Sequence, residues 1–135
     1  MLGASKKARE WRNMADKQKM LYVVTSGPDR AEQLYAPFVL AQTAVAMGME
    51  ATVYFVIKGV MAVKKGEADK IKMGSFPRLS EVMQGAIKAG VKVMVCEQSC
   101  GLLGIPKGSF EEWAKIVGAA TLNDLTLDAD GVLCF

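Results

Sequence analysis

The sequence predicts an α/β domain: a mostly parallel sheet with helices on both faces. Three observations carry this. Short valine-rich apolar runs recur at Leu21–Thr25, Ala51–Ile57 and Val91–Val95, and they read as strands buried on both sides, as parallel strands are. Between them lie segments with apolar residues three and four apart, the spacing of one helix face. The alternation strand, helix, strand, helix, strand is the order that crossover connections of a parallel sheet require.

Taken in order, residues 1–20 carry six of the seventeen basic residues and read as an N-terminal basic helical appendage to a domain of residues 21–135. Ala8, Trp11 and Ala15 would share one face of that helix and dock it, and Glu10 and Asp16 argue against a mitochondrial presequence. Strand one, Leu21–Thr25, runs into Ser26-Gly27-Pro28-Asp29, turn residues in which Ser26 or Asp29 is available as a helix cap. The first helix, Arg30 to Met47, presents Leu34, Phe38, Ala41 and Val45, ends at Gly48, and carries Pro37, which should kink it or break its first turns. Strand two is Ala51–Ile57. A second helix, Arg78–Ala89, with a cap near Ser75 or Pro77, turns Leu79, Val82, Met83 and Ala86 inward and closes at Gly90 ahead of strand three. Beyond Cys96 come a short helix or turn, a loop over 104–108, a fourth strand near Val117, a helix capped by Thr121, and a terminal strand Val132–Phe135.

The composition bounds the function. A chain of 135 residues, 51% apolar, builds one domain with a sizeable core. A net charge of +3 is too small to make nucleic acid or an anionic membrane the main partner, and Glu50, Lys58 and Lys92 interrupt the longest apolar runs before they reach membrane-spanning length. Three cysteines without a disulfide framework fit a reduced, cytoplasmic setting. Histidine is absent, which removes the commonest general base and metal ligand; two nearby thiols fall short of a tetrahedral site, so no metal is expected. SGPDR has one glycine and no lysine at P-loop spacing, so no nucleotide or other cofactor is expected. Chemistry is left to thiol, carboxylate, amine or hydroxyl, of which thiolate is the strong nucleophile near neutral pH.

The candidate site follows from Cys96, which ends the VKVMV run and precedes polar Glu97, Gln98 and Ser99. A group at the carboxyl end of a parallel strand faces the crevice where ligands bind, and the start of a short helix there would favour a thiolate, with Glu97 opposing unless it points away. Cys100, four residues on, would share a helix face with Cys96 and is a possible second thiol. Cys134, between Leu133 and Phe135, reads as a buried structural residue. The long connection after strand two brings Lys58, Lys64 and Lys65 to the crevice side, where they could bind an anion or form a solvated loop.

The order of SGPDRAEQLYAPFVLAQTAVAMGMEATVYFVIKGV, VKVMVCEQSCGLLGI and ADGVLCF resembles the DsrE/DsrF-like family, which includes TusD-type sulfurtransferase subunits. The resemblance implies a flavodoxin-like fold, a homotrimer or hexamer, and sulfur metabolism in which Cys96 accepts sulfane sulfur as a persulfide or thiosulfonate. It also implies relay to a TusA-like or other sulfur-carrier protein, and the location of Lys58, Lys64 and Lys65 would suit a small anionic sulfur compound such as thiosulfate as the donor. The CEQSC pair departs from the single cysteine of TusD-type chains. Two alternatives therefore stand beside the sulfur carrier: a dithiol redox or peroxide-reacting protein using Cys96 and Cys100, and a non-catalytic subunit of a sulfur-relay complex.

Overall fold

A computed structural model describes residues 17–135; the appendage helix expected around Ala8, Trp11 and Ala15 lies outside the described residues. The chain runs β1 (Lys19–Val24), a 3-10 turn (Pro28–Arg30), α1 (Glu32–Ala46), β2 (Glu50–Phe55), a 3-10 helix (Ile57–Val63), a second 3-10 turn (Ala68–Lys70) and α2 (Leu79–Ala89). It continues through β3 (Lys92–Cys96), α3 (Glu97–Leu103), a 3-10 turn (Lys107–Ser109), β4 (Lys115–Val117), α4 (Ala119–Asp128) and β5 (Gly131–Cys134). The five strands form one sheet in the order β4-β3-β2-β1-β5, every pairing parallel, in the expected flavodoxin-like α/β architecture.

Crossover handedness decides which face each helix covers. From β1 to β3 the sheet grows in one direction, and α1 and α2 pack side by side on the first face. The return from β4 to β5 runs the opposite way, so a right-handed crossover puts α4 on the second face. Strand alternation then sorts the core. Tyr22, Val24, Val53, Phe55, Val93 and Val95 meet Leu34, Phe38, Leu79 and Met83 on the first face. Leu21, Val23, Tyr54 and Cys96 meet Leu122 and Leu125 of α4 on the second. The first face is the heavier core, with Phe38 and Phe55 stacked at 5.8 Å between ring centres, and each such side chain contributes about 1.5–3 kcal/mol of burial. No residue of α4 is fully buried, so the second face is more thinly covered.

Several expectations are corrected. Neither Ser26 nor Asp29 caps a helix: α1 follows a 3-10 turn, its cap position is Ala31, and the Ser26 hydroxyl donates to Gln33 Oε1 at 2.6 Å instead. The cap position of α2 is Arg78 rather than Ser75 or Pro77 and that of α4 is Gly118, leaving Thr121 inside the helix. Pro37 does not break α1, which stays helical from Glu32 to Ala46 around the buried ring. Gly90 does close α2, at φ 108°. Cys134 is exposed rather than buried, because β5 pairs with β1 alone and forms a sheet edge.

Candidate functional site

The carboxyl ends of β1, β2 and β3 rise to one rim of the sheet, and Cys96 stands there as the last residue of β3 and the cap position of α3. It is 7% exposed and packed with Leu21, Val23 and Tyr54, not standing free in a crevice as the sequence suggested. β3 has a strand on each side, and on its second face Cys96 belongs to a cluster against which Leu122 and Leu125 of α4 pack. The thiol lies 3.7 Å from Gln98 Oε1, and that oxygen also accepts the Ala119 N–H at 3.0 Å, so one amide joins the starts of α3 and α4 beside the sulfur.

Glu97, the residue that argued against an ionisable thiol, is held in an ion pair. Its Oε1 accepts from Lys107 Nζ at 2.9 Å on the surface, and that hydrogen bond and charge hold the Lys107 ammonium above the usual lysine range. The acid next to Cys96 is thus partnered by a base from the following loop.

Cys100 does not share a face with Cys96. Four-residue spacing aligns side chains only when both residues are helical, and Cys96 is extended, at φ −73° and ψ 119°. Cys100 is 2% exposed and joins the first-face core, whereas Cys96 joins the second. Its thiol donates to the Cys96 carbonyl at 3.4 Å, and burial pushes its pKa up, with Cys96 adding to the rise. A thiol so placed packs well and ionises reluctantly.

The rim is completed by the 3-10 helix that leaves β2. Ile57 has φ +57°, a conformation that costs a residue with a Cβ roughly 1–2 kcal/mol and is rarest for a β-branched one. The buried Ser99 hydroxyl accepts the Ile57 N–H at 2.8 Å, tying this strained residue to α3 one turn from Cys96. Gly59 lets the helix press on β1: a Cβ there would fall 2.1 Å from the Val24 carbonyl oxygen. Lys58 is exposed, with its backbone and Cβ against Gly27 at the end of β1. Lys64 and Lys65 sit further along, where Lys64 bridges to Phe110 and the Lys65 N–H donates to Ser109 O at 2.9 Å. Among the described residues none of these three ammonium groups makes an ion pair.

Sequence reasoning missed Tyr54, Ser99 and Lys107. Tyr54 reads as one apolar residue of a strand, yet it is fully buried on the Cys96 face and its hydroxyl donates to Gly118 O at 3.1 Å. Burial pushes its phenol up to about 12, with Cys96 adding through charge and hydrogen bonding. A cavity of about 510 Å³ runs along α2 past Ser80, Gln84, Lys88, Glu111 and Trp113, but it is lined by no thiol. Among the described residues no cluster of three or more His, Cys, Asp or Glu is placed to hold a metal, and no helix is long and apolar enough to cross a membrane.

Comparison with known proteins gives a consistent set of matches. The model of the DsrE/DsrF-like family matches residues 18–135. An uncharacterized protein of Methanocaldococcus jannaschii is 35% identical over 109 residues, which are 80% of this chain but 40% of that longer protein. A second uncharacterized protein of the same organism is 28% identical over 120 residues, 87% of this chain and 99% of the relative. The sulfur carrier protein DsrE2 of Allochromatium vinosum is 23% identical over 155 aligned positions, covering 85% of this chain and 96% of DsrE2. The crystal structure of the ychN protein from E. coli superposes with a TM-score of 0.72 over 87% of this chain and 99% of its own, at 22% identity, and shares the fold.

Proposed function

Because this chain belongs to the DsrE/DsrF-like family, we propose that it is a sulfur carrier in which Cys96 takes up sulfane sulfur and passes it to a cysteine of a partner protein. The observation that carries the reading is a thiol at the carboxyl end of an interior parallel strand, with the one adjacent carboxylate paired to Lys107. The resemblance to a sulfur carrier protein supports the same class of chemistry.

The chemistry is thiolate exchange. The Cys96 thiolate attacks the outer sulfur of a donor such as thiosulfate; the new S–S bond forms as the bond to sulfite breaks, and sulfite leaves with the electron pair. Attack of a partner thiolate on the outer sulfur of the Cys96 persulfide moves that sulfur on and regenerates the Cys96 thiolate. Lys58, exposed at the rim, suits an anionic donor; Lys64 and Lys65 lie further along the same connection. The partner is a TusA-like or other sulfur-carrier protein, and the setting is cytoplasmic. The dithiol alternative is weakened by the opposite faces of Cys96 and Cys100.

Exposed apolar residues, among them Val39, Leu40 and Met47 on or next to α1, and Leu127, Val132 and Leu133 near the β5 edge, favour a closed homo-oligomer, a trimer or a dimer of trimers. Sedimentation at micromolar concentration tests this, and a monomer would refute it. The sulfur reading is tested by intact mass after incubation with thiosulfate or polysulfide: one added sulfur is expected, whereas loss of two hydrogens would favour the dithiol and no change the non-catalytic subunit.

A further inference from the structure

Tyr54 carries a hydroxyl in the buried cluster of Cys96 that the exchange chemistry leaves unused. In the sheet register Tyr54 of β2 stands opposite Met94 of β3, and Cys96 of β3 opposite Val117 of β4. The hydroxyl nevertheless donates to Gly118 O, one residue past Val117 and two strands away, a lateral step of about 10 Å. To get there the phenol lies diagonally across β3 on the face that carries Cys96, in the same buried cluster.

The polar groups around the sulfur differ in which charge state they suit. Gln98 Oε1, fixed by the Ala119 N–H, is an acceptor and fits a thiol proton, but it faces an anionic sulfur unfavourably. Tyr54 brings a donor. Its present acceptor can release it, because Gly118 O also accepts the Thr121 N–H at 3.1 Å and keeps a partner if the phenol turns away. The other ionisable groups toward this end of the sheet are Glu97, paired with Lys107, Cys100 in the opposite core, Lys58, exposed at the rim, and Cys134, exposed on the edge strand β5. From β1, β4 and α4 the neighbours are apolar: Leu21, Val23, Val117, Leu122 and Leu125.

We infer that Tyr54 is the hydrogen-bond donor to the Cys96 sulfur whenever that sulfur is anionic, swinging its single proton from Gly118 O to the sulfur and back during each cycle. This rests on the sulfur-carrying reading for its purpose, stabilising the thiolate before attack and again after the sulfur leaves. No proton is lost, since the phenol donates without ionising.

The test is Tyr54→Phe in the full chain, which keeps the ring and removes the hydroxyl. Alkylation of Cys96 by iodoacetamide, followed by mass spectrometry across pH, is expected to slow about threefold to twentyfold near neutral pH, the effect of a lost hydrogen bond to a charged group on the thiolate population, partly offset by the higher nucleophilicity of the more basic thiolate. The rate–pH profile should move to higher pH while the plateau at high pH rises, because the thiolate that has lost its donor is the better nucleophile, and a merely structural role would not produce both. An unshifted profile overturns the inference. Should the variant fail to fold, 3-fluorotyrosine incorporated into the natural chain decides: one fluorine resonance should follow Cys96 ionisation and lose that response in Cys96→Ser, and no such resonance overturns it equally. Alkylation does not depend on sulfur uptake, so a shifted profile in a chain that takes up no sulfur would sink the carrier reading while leaving the donor role in place.

Discussion

Ser99→Ala removes the oxygen that holds the strained turn after β2, and its cost can be worked out from the geometry. Ser99 is 4% exposed and its hydroxyl accepts the Ile57 N–H at 2.8 Å, so truncation leaves a partly buried backbone donor without that partner, worth about 1–3 kcal/mol. The left-handed conformation of Ile57 stores a further ~1–2 kcal/mol that the same bond helps to hold. Once the bond is gone the turn can relax and recover part of this, so the net loss is expected near 2 kcal/mol, not the sum of the two terms. With a urea slope of roughly 1–3 kcal/mol per molar, the midpoint should fall by about 1 M. Ile57→Gly in the Ser99→Ala background should restore less than it would if the two costs were independent, because both act through one hydrogen bond. Hydrogen exchange adds a local readout, with the Ile57 amide losing protection before the core strands do. A Ser99→Ala chain with an unchanged urea midpoint and a still-protected Ile57 amide would refute the claim that this bond holds the rim.

Three further outcomes are expected. Gly59→Ala should destabilise the chain by more than 2 kcal/mol, roughly the scale of overpacking, because its Cβ would fall 2.1 Å from the backbone oxygen of Val24; an unchanged thermal midpoint counts against the packing described. Alkaline pH should destabilise the fold: Tyr22, Tyr54 and Cys100 all have raised pKa values, so the unfolded chain releases their protons first and stability falls as pH rises from about 9 through 12. Tyr54, moved from 10.0 to about 12, accounts for on the order of 2 kcal/mol, and Tyr54→Phe should flatten that part of the curve in urea melts at pH 8 and pH 11. Cys100→Ala should leave sulfur uptake within about twofold of the natural chain and cost stability through lost packing; uptake abolished in a folded variant would restore the dithiol reading.

What the sequence revealed was local, and what it concealed depended on which strands lie side by side. The runs at β1, β2 and β3 and the spacing of Leu34, Phe38 and Ala41 announce themselves, because burial on both faces or on one helix stripe leaves a periodic trace. Gly90 was legible as a helix end because few other residues adopt φ 108°. The environments of two cysteines were read the wrong way round. Leu133-Cys134-Phe135 has the composition of a buried strand, but the return crossover sets β5 at the sheet edge, whereas Cys96 ends an interior strand and is buried in the second-face cluster. Cys96 and Cys100 were expected on one helix face, and they part because one is extended and the other helical. Tyr54 met Cys96 through the register between β2 and β3, and Lys107 met Glu97 through a loop that folds back; neither contact has a short-range signature. Ile57 in a left-handed turn contradicts its own propensity, and such conflicts tend to gather where function has imposed a geometry.

The central claim is that sulfur is carried on Cys96, and the exposed thiol of Cys134 is its natural rival. The two side chains point to the same sheet face but stand three strands apart, at least about 14 Å, so sulfur found on one did not come from a shared site. The direct measurement is intact and peptide mass of the natural chain, Cys96→Ser and Cys134→Ser after incubation with thiosulfate or polysulfide. The account predicts one added sulfur, mapped to the Cys96 peptide, in the natural chain and in Cys134→Ser, and none in a folded Cys96→Ser. Full loading of Cys96→Ser, or sulfur mapped to Cys134 alone, would contradict it.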